Sequence, residues 1–197
     1  MRAYKLGLIG LALGLLAACA PPEPLRLTIL HNNDVHSRLQ PVSAQNNNCS
    51  AQQLAQNQCF GGMARVATLI ERERAAAAAS GRQVLILDAG DQFQGSLFYS
   101  HYKGAAEAEV MNLMAYDAMA LGNHEFDDGP EVLARFLRTV RVPVLSANVD
   151  ASAEPAIRGL FRSHIVVSRG GHRVAIIGAT TEDTPTIASP GPRTLFP

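Results

Sequence analysis

The sequence predicts an α/β fold, in which helices pack against a central sheet of mostly parallel strands. Short apolar runs rich in Leu or β-branched residues alternate with segments whose apolar residues recur at helical spacing. Three of these apolar runs end directly in a turn that carries Asp, His or Asn. Because active sites in such folds form at the carboxyl ends of strands, we expect the three turns to converge on one crevice.

The first predicted strand covers residues 25–31, where alternating polarity gives way to an apolar run before a polar Asn-Asn-Asp cluster. Gly61-Gly62 precede a helix in which positions 63, 66, 67 and 70 are apolar, and an Ala run completes it before Gly81. Residues 84–87 are continuously apolar, as in a strand buried on both faces. The later elements are predicted as helix 107–114, strand 118–121, helix 130–140, strand 142–145 and a hairpin of 164–168 with 172–178.

The N-terminus is typical of an export signal: two basic residues precede an apolar run too short for the roughly 20 residues of a membrane span. Residues 16–19, Leu-Ala-Ala-Cys, resemble the lipobox of bacterial lipoproteins, in which the cysteine becomes the lipidated first residue. An ordinary secretory signal is the alternative. We therefore expect a signal peptide at 1–18, lipidation of Cys19, a tether at 19–24 and one domain at 25–197. These features predict an exported protein of the bacterial cell envelope, anchored to a membrane by lipid and facing the periplasm or the exterior.

The charge balance excludes one class of partner. The whole chain has 17 basic and 17 acidic residues, and removal of residues 1–18 would leave a net charge of −2. Since nucleic-acid polymers are bound by an excess of basic side chains, we do not expect them as partners. About 175 residues would remain, enough for one domain with a sizeable core.

With Cys19 assigned to the lipid, Cys49 and Cys59 form an even pair in an oxidising compartment. We expect a disulfide between them that stabilises a polar, Asn- and Gln-rich loop by roughly 2–4 kcal/mol. Two free thiols or a metal-binding pair are the alternatives, and they are less favoured because no His or further Cys lies nearby.

The turn after the first strand carries Asp34 and His36. In extended backbone these side chains would point to the same side and could hold one cation, although an isolated Asp-x-His pair is common by chance. In the second turn, Asp91 follows Gly90, which allows the backbone to turn and approach a ligand closely. The Asp91 carboxylate could bridge two ions, whereas Asp88 is expected to be a turn residue or to support the ligands.

The third turn, residues 122–127, is the most informative stretch of the chain. Asn123 offers a carbonyl oxygen to a metal ion, and His124 has Asp127 three residues further on. A carboxylate at that spacing can fix the imidazole tautomer and raise its basicity, so His124 is a candidate for contacting a transferred phosphoryl group. Asp127 could also cap the helix that begins near Pro130. Together the three turns are typical of a metal-assisted phosphoryl-transfer site.

Other polar residues are weaker candidates. Glu125 and Asp128 are expected to be solvated or to support the ligands, and Ser96 lacks the strand-turn-helix setting of a nucleophilic serine. His31 lies at the strand end beside the site but out of phase with Asp34, and the other three remaining histidines have no acid partner at ligand spacing. We predict that they are surface or core residues: His31, His101, His164 and His172.

Four ordered motifs resemble the N-terminal metallophosphatase domain of the 5′-nucleotidases, which has a calcineurin-like fold. These motifs lie at 33–36, 61–65, 88–95 and 118–127, and residues 145–148 and 180–191 are similar as well. The resemblance covers nearly all of the chain after residue 24. The Cys pair that precedes Gly61-Gly62 is a feature shared with exported members of that family.

The resemblance implies a four-layer α/β/β/α sandwich with a dinuclear centre of divalent ions, of the Zn, Mn, Co or Fe type. Asp34 and His36 would bind one ion, Asp91 would bridge both, and Asn123 would bind the second. A hydroxide would attack phosphorus in line while His124, oriented by Asp127, stabilises the transition state. This scheme agrees with two-metal catalysis of phosphoryl transfer.

The family takes further His ligands and its base-recognition groups from later segments. After His124 the chain contains only His164 and His172, and neither lies in a turn of that type. The resemblance therefore implies a fold that is incomplete at its C-terminus. We expect these residues alone to hold at most one metal ion tightly, because fewer ligands leave the second ion under-coordinated.

The expected activity is the hydrolysis of nucleoside 5′-monophosphates to nucleoside and phosphate. Hydrolysis of nucleoside-diphosphate sugars or of 2′,3′-cyclic nucleotides is an alternative. Asp127 favours the nucleotidase, because some cyclic phosphodiesterase relatives carry Asn at that position. A catalytically inactive surface lipoprotein, which only binds a metal or a partner, is an alternative of a different class. The oligomeric state is left open.

Overall fold

A computed structural model of the chain describes residues 23–197. The expected signal peptide, Cys19 and most of the tether lie outside the described residues. The strands are β1 (Leu27–Asn32), β2 (Val42–Ser43), β3 (Cys59–Phe60), β4 (Gln83–Asp88), β5 (Ala118–Ala120), β6 (Val144–Leu145), β7 (His164–Arg169) and β8 (His172–Ile177). The helices are α1 (Ala51–Ala55), α2 (Met63–Ala79), α3 (Leu97–Tyr102), α4 (Ala105–Met114), α5 (Pro130–Thr139) and α6 (Thr184–Ile187).

Four parallel strands form the central sheet, in the order β1-β4-β5-β6. The register of β1 on β4 runs from the pair Leu27–Gln83 to the pair Asn32–Asp88, so both strands end at the same level. Since all four strands point the same way, the turns that follow β1, β4 and β5 lie at one edge of the sheet. The predicted α/β fold class is confirmed.

Helices cover one face of the sheet and enclose the main hydrophobic core. Met63 and Ile70 of α2 are buried at helical spacing and belong to this core. Phe93 is fully buried, with its ring centroid 4.8 Å from that of Tyr99 and 5.0 Å from that of Phe136. Because Phe93 lies two residues after Asp91, this aromatic cluster anchors the second polar turn to the core.

An antiparallel hairpin, β7–β8, lies on the opposite face of the sheet. Ile29 and Leu87 face away from the helical core and line an apolar cavity together with Ile176 of the hairpin. Arg169, next to the hairpin turn, donates to the Val84 carbonyl at 2.9 Å and pairs with Asp117, whose carboxylate also accepts the N–H of Ile86. The described residues therefore contain a helical layer, the parallel sheet and a two-stranded sheet on its second face.

The predicted disulfide between Cys49 and Cys59 is present. The loop that it closes contains α1, a short helix that the sequence did not lead us to expect. Ser50 caps this helix, because its hydroxyl accepts the N–H of Gln53 while the Gln53 side chain accepts the N–H of Ser50. Arg65 of α2 donates to the Cys59 carbonyl and ties the loop to the helical layer.

Helix α3 is also absent from the sequence-based prediction. Its N-cap is Ser96, whose hydroxyl accepts the N–H of Phe98 at 3.2 Å. Leu97 and Tyr102 are exposed whereas Tyr99 is buried, so the apolar residues of this segment do not mark one face. Within residues 23–197, no helix has both the length and the apolar character that crossing a bilayer requires.

Candidate metal centre

The turns after β1 and β4 run side by side and are joined by backbone hydrogen bonds. Asp34 N–H donates to Gly90 C=O at 3.0 Å, and His36 N–H donates to Asp91 C=O at 3.0 Å. One residue further, Ser37 N–H donates to Gln92 C=O at 2.9 Å. These bonds continue the β1–β4 pairing past the ends of the strands, so that Asp34 and His36 lie next to Asp91.

The backbone of these turns is not extended, which corrects the geometry that we expected for Asp34 and His36. Both residues have left-handed conformations, with φ of +53° and +47°, and Asp91 has φ of +56°. Their side chains nevertheless meet, with His36 Nε2 3.5 Å from an oxygen of Asp34. Left-handed backbone costs a non-glycine residue roughly 1–2 kcal/mol, so the surrounding contacts must hold these turns in place.

The third turn follows β5 and closes against Asp91. His124 N–H donates to Asp91 Oδ1 at 3.0 Å. A Cβ atom on Gly122 would overlap both the carboxylate and the backbone nitrogen of Asp91, so glycine is the residue that allows this approach. Asn123 lies between these two contacts, and its side-chain amide has no hydrogen-bond partner among residues 23–197.

Three side chains converge where the turns meet. His36, Asp91 and His124 each offer a ligand atom, and these atoms all lie within 4.8 Å of one another. Asp34 lies beside this group, because an oxygen of its carboxyl is 3.5 Å from Nε2 of His36. Two carboxyl groups and two imidazoles in direct proximity are a donor set that suits a divalent cation such as Zn²⁺ or Mn²⁺.

The imidazole of His36 has a fixed orientation. Its Nδ1 is 3.1 Å from the Phe93 carbonyl, to which it can donate, and Nε2 is then free to face the cluster. The ring stands edge-on to that of His124, with centroids 4.9 Å apart. A backbone acceptor on the second nitrogen is the usual way in which proteins orient a metal-binding histidine.

His124 is held by Asp127, as the spacing predicts, with Nδ1 2.7 Å from Asp127 Oδ2. Burial lowers the pKa of His124, but the hydrogen bond and charge of Asp127, with the charges of Asp91 and Glu125, outweigh it and leave the pKa above its ordinary value. Asp127 does not cap helix α5, because the N-cap of that helix is Gly129 and no side chain caps it. The free ring nitrogen, Nε2, is the one available to the cluster.

The sequence left open whether Glu125 is solvated or supports the ligands. Glu125 is completely buried rather than solvated, and its carboxylate lies between the second and third turns. It accepts backbone N–H groups from Asp91, Gln92, Phe93 and Gly122. Burial raises the pKa of Glu125 to about 7, although the hydrogen bonds from Gly122 and Asp91 favour its charged form.

Asp88 supports the second turn from its other side. Its oxygens accept Gly90 N–H at 3.0 Å, the Asn32 amide at 2.6 Å and the Gln92 amide at 2.7 Å. Tyr116 completes the network by donating to Asn32 Oδ1 at 2.6 Å. Burial raises the pKa of Asp88 to about 7. Asp88 is thus a buried turn residue that orders the loop containing Asp91.

The remaining candidates lie outside the cluster. Asp128 accepts from Lys103 at 2.7 Å and from Tyr99 at 2.9 Å, and the Lys103 hydrogen bond holds its pKa below the usual range. Ser96 donates to the Ser37 carbonyl at 2.7 Å and caps α3. The other described histidines are exposed or half-buried, and none lies in the cluster of three: His31, His101, His164 and His172.

We compared the sequence of the chain with those of known protein families and proteins. The family model for calcineurin-like phosphoesterases matches residues 27–190. The 5′-nucleotidase of Rattus norvegicus is 45% identical over 173 residues, which cover 86% of this chain and 29% of that protein. The 5′-nucleotidase of Homo sapiens is 44% identical over 173 residues, with the same coverage of 86% and 29%. The chain thus spans about 30% of the length of these curated relatives.

The chain also resembles solved structures of nucleotidases. A 5′-nucleotidase precursor from Thermus thermophilus is 46% identical, with a TM-score of 0.74 over 87% of this chain and 32% of that one. An NAD nucleotidase from Haemophilus influenzae is 32% identical, with a TM-score of 0.75 over 87% and 33%. The match of the family model spans the sheet and all three polar turns. The chain therefore belongs to the calcineurin-like phosphoesterase family.

Proposed function

We propose that this chain provides the metal centre and phosphoryl-transfer residues of a 5′-nucleotidase, which hydrolyses nucleoside 5′-monophosphates to nucleoside and phosphate. The observation that supports it best is the convergence of His36, Asp91 and His124 within 4.8 Å at the carboxyl edge of the sheet. The similarity of the chain to 5′-nucleotidases at 44–46% identity favours this substrate class within the family.

In this proposal Asp34 and His36 bind one divalent ion, Asp91 bridges to a second, and Asn123 binds that second ion. The 3.5 Å approach of the Asp34 carboxyl to Nε2 of His36, and the position of Asp91 beside His36, support this assignment. The Asn123 side chain, which has no hydrogen-bond partner within residues 23–197 and lies in the turn that contacts Asp91, supports its assignment to the second ion. When bound, such ions neutralise phosphate charge and make water nucleophilic near neutral pH.

His124 has a different role in the proposal: it contacts the transferred phosphoryl group or the leaving oxygen. Asp127 occupies Nδ1, and this fixes the tautomer and leaves Nε2 directed to the cluster. The His124 backbone N–H is occupied as well, by Asp91. A positioned imidazole of this kind can donate to an oxygen on which charge develops.

We also propose that the mature protein begins at Cys19, carries a lipid there and is exported to the cell envelope. The short apolar run and the Leu-Ala-Ala-Cys segment support this proposal. The Cys49–Cys59 disulfide is compatible with an oxidising compartment. Mass spectrometry of the protein from the membrane fraction tests it: a lipid-modified N-terminal Cys19 is expected, and an unmodified N-terminus at Met1 would reject it.

Phosphate release from AMP tests the nucleotidase proposal. The chain is stripped of metal, reloaded with Mn²⁺ or Zn²⁺ and assayed beside a chain extended past Pro197, with UDP-glucose and 2′,3′-cyclic AMP as competing substrates. Metal-dependent release from AMP above the other two is the expected result, in the extended chain at least. Preference for either competitor would reassign the substrate, and silence of both folded chains would favour a non-catalytic lipoprotein.

A further inference from the structure

The carboxylate of Glu125, in the third turn, binds backbone groups of the second turn that lie 32 to 34 residues earlier in the chain. One oxygen accepts Gln92 N–H at 2.7 Å and Phe93 N–H at 3.3 Å. The other accepts Gly122 N–H at 2.7 Å and Asp91 N–H at 3.0 Å. Four backbone donors thus converge on one side chain that is shielded from solvent. We refer to these five residues, Asp91, Gln92, Phe93, Gly122 and Glu125, as the carboxylate clamp.

The clamp binds a stretch of backbone that has an unfavourable conformation. Asp91 has φ of +56°, and its N–H points into the clamp instead of pairing with a strand. A left-handed conformation at a non-glycine residue persists only when neighbouring contacts enforce it. Hydrogen bonds to a carboxylate are roughly twice as strong as neutral ones, so Glu125 is well suited to enforce this conformation.

The clamp also sets the separation of the second and third turns. Gly122 packs so closely on Asp91 that an added Cβ would overlap the carboxylate, and His124 of the same turn donates its N–H to that carboxylate at 3.0 Å. Loss of the bonds from the Asp91, Gln92 and Phe93 N–H groups to Glu125 would free the third turn to move away from Asp91. Movement of the third turn would change both the distance from Asp91 to His124 and the distance from Asp91 to Asn123.

We propose that Glu125 is a positioning residue: it binds no metal or substrate itself, but holds Asp91 and the Asn123–His124 turn at the spacing that metal binding requires. This inference rests on the proposed function, because it assumes that Asp91 binds a metal ion. Groups that orient metal ligands typically change metal affinity by about 10- to 100-fold when they are removed.

Glu107 provides a matched control. It is also a fully buried glutamate, but it receives only the Ser37 hydroxyl on Oε1, and Oε2 has no partner among the described residues. In Glu107→Gln the amide oxygen can keep the Ser37 bond. In Glu125→Gln the new NH₂ group must face backbone N–H donors, which cannot bond to it. The two substitutions are therefore chemically identical, but only Glu125→Gln breaks hydrogen bonds of the clamp.

The experiment measures Mn²⁺ affinity of the metal-free chain by calorimetry, with hydrogen exchange of the 89–95 and 120–126 segments and circular dichroism as a folding check. We expect Glu125→Gln to weaken Mn²⁺ binding by about 10- to 100-fold and to accelerate exchange in both segments. Glu107→Gln should leave the Mn²⁺ affinity and the exchange rates within about twofold of wild type. This control measures how much the loss of a buried carboxylate outside the clamp changes either quantity.

Glu125→Asp is the second variant, in case Glu125→Gln does not fold. It keeps the charge but is one methylene shorter, so it cannot reach all four N–H groups, and weaker Mn²⁺ binding is again expected. Affinity equal to wild type in either folded variant would overturn the positioning role alone. A wild-type chain that binds no Mn²⁺ would overturn the proposed metal centre, which is a distinct result.

Discussion

Asp127 Oδ2 lies 2.7 Å from Nδ1 of His124, three residues earlier in the same turn. Asp127 therefore determines both the orientation and the proton affinity of the imidazole that faces the ligand cluster. The neighbouring Asp128 points elsewhere, to Lys103 and Tyr99. Two adjacent carboxylates thus have separate partners, and this difference allows the role of Asp127 to be tested alone.

Asp127→Asn should lower the pKa of His124. The hydrogen bond and charge of Asp127 are what raise that pKa against the opposing effect of burial. Histidine Cε1–H chemical shifts of the metal-free chain, followed from pH 5 to pH 9, measure the value directly. Asp128→Asn is the control, and it should leave the His124 titration unchanged. A His124 titration that is identical in wild type and Asp127→Asn would contradict the assignment.

The same contact has a stability consequence for the metal-free chain. The pKa of His124 is raised in the folded state, so the protonated imidazole favours folding at pH values below its unfolded pKa. That contribution is lost as the pH rises through the folded pKa. Denaturant unfolding of wild type and Asp127→Asn should therefore differ more below about pH 6 than above pH 8. A difference that grows with pH would have the wrong sign.

Asp91→Asn should reduce phosphate release from AMP more than His124→Ala does. An imidazole that assists proton transfer is typically worth about 10²- to 10⁴-fold in rate, whereas the loss of a bridging carboxylate damages both metal positions. The comparison uses the extended chain under metal-saturated conditions. Equal losses, or a larger loss in His124→Ala, would reject the bridging role of Asp91.

Gly122→Ala should weaken metal binding by about tenfold or more, because the added methyl group would displace the Asp91 carboxylate. Gly178→Ala is the matched control: its methyl group would collide with the Leu145 carbonyl, at a place that does not touch Asp91. We expect both variants to lose stability, and only Gly122→Ala to lose Mn²⁺ affinity. Equal affinities in the two variants would disprove the close packing of Gly122 on a metal ligand.

The chain should hold at most one divalent ion tightly. Asp34, His36 and Asp91 offer three ligands to one site, but the second site has Asp91 and Asn123 from the proposed set. Under-coordinated ions dissociate during gel filtration, so metal analysis after that step should give no more than one ion per chain. Two retained ions per chain would show that the described residues form a complete dinuclear centre.

Loss of the disulfide should lower the free energy of unfolding by roughly 2–4 kcal/mol, since Cys49 and Cys59 close a loop of ten residues' separation. Denaturant unfolding of the oxidised chain and of the Cys49→Ser/Cys59→Ser variant measures the difference. The effect should be absent when wild type is studied under reducing conditions. An unchanged midpoint in the oxidised comparison would argue against the stabilising role.

The sequence was sufficient to predict the fold class and the convergence of the three polar turns that form the candidate site. Apolar runs followed by acidic or imidazole turns identified β1, β4 and β5, because parallel strands buried in an α/β core have few polar residues until they end. The i, i+3 spacing of His124 and Asp127 was enough to predict their contact, since it depends only on local geometry. The Cys49–Cys59 pairing followed from the number of cysteines, because only these two remain when Cys19 is assigned to the lipid.

The parts that could not be predicted depend on contacts between distant residues. Hydrogen bonds to the turn after β4 enforce the left-handed backbone at Asp34 and His36. Local propensity alone favours an extended conformation there, and these distant bonds could not be foreseen from the sequence. The sequence could not decide whether Glu125 is solvated or supports the ligands, because charged side chains are usually exposed. Three of its four backbone donors, Asp91, Gln92 and Phe93, come from a segment that only the folded sheet brings close to it. The fourth donor, Gly122, lies three residues before it. Helix α3 was missed because both of its ends expose apolar residues.

The most direct test of the metal centre is an anomalous difference map from crystals of the chain grown with Zn²⁺, recorded at the zinc absorption edge. The account predicts a peak about 2.0–2.2 Å from Nε2 of His36 and from a carboxylate oxygen of Asp91. A zinc ion bound elsewhere, or one that contacts neither His36 nor Asp91, would contradict it.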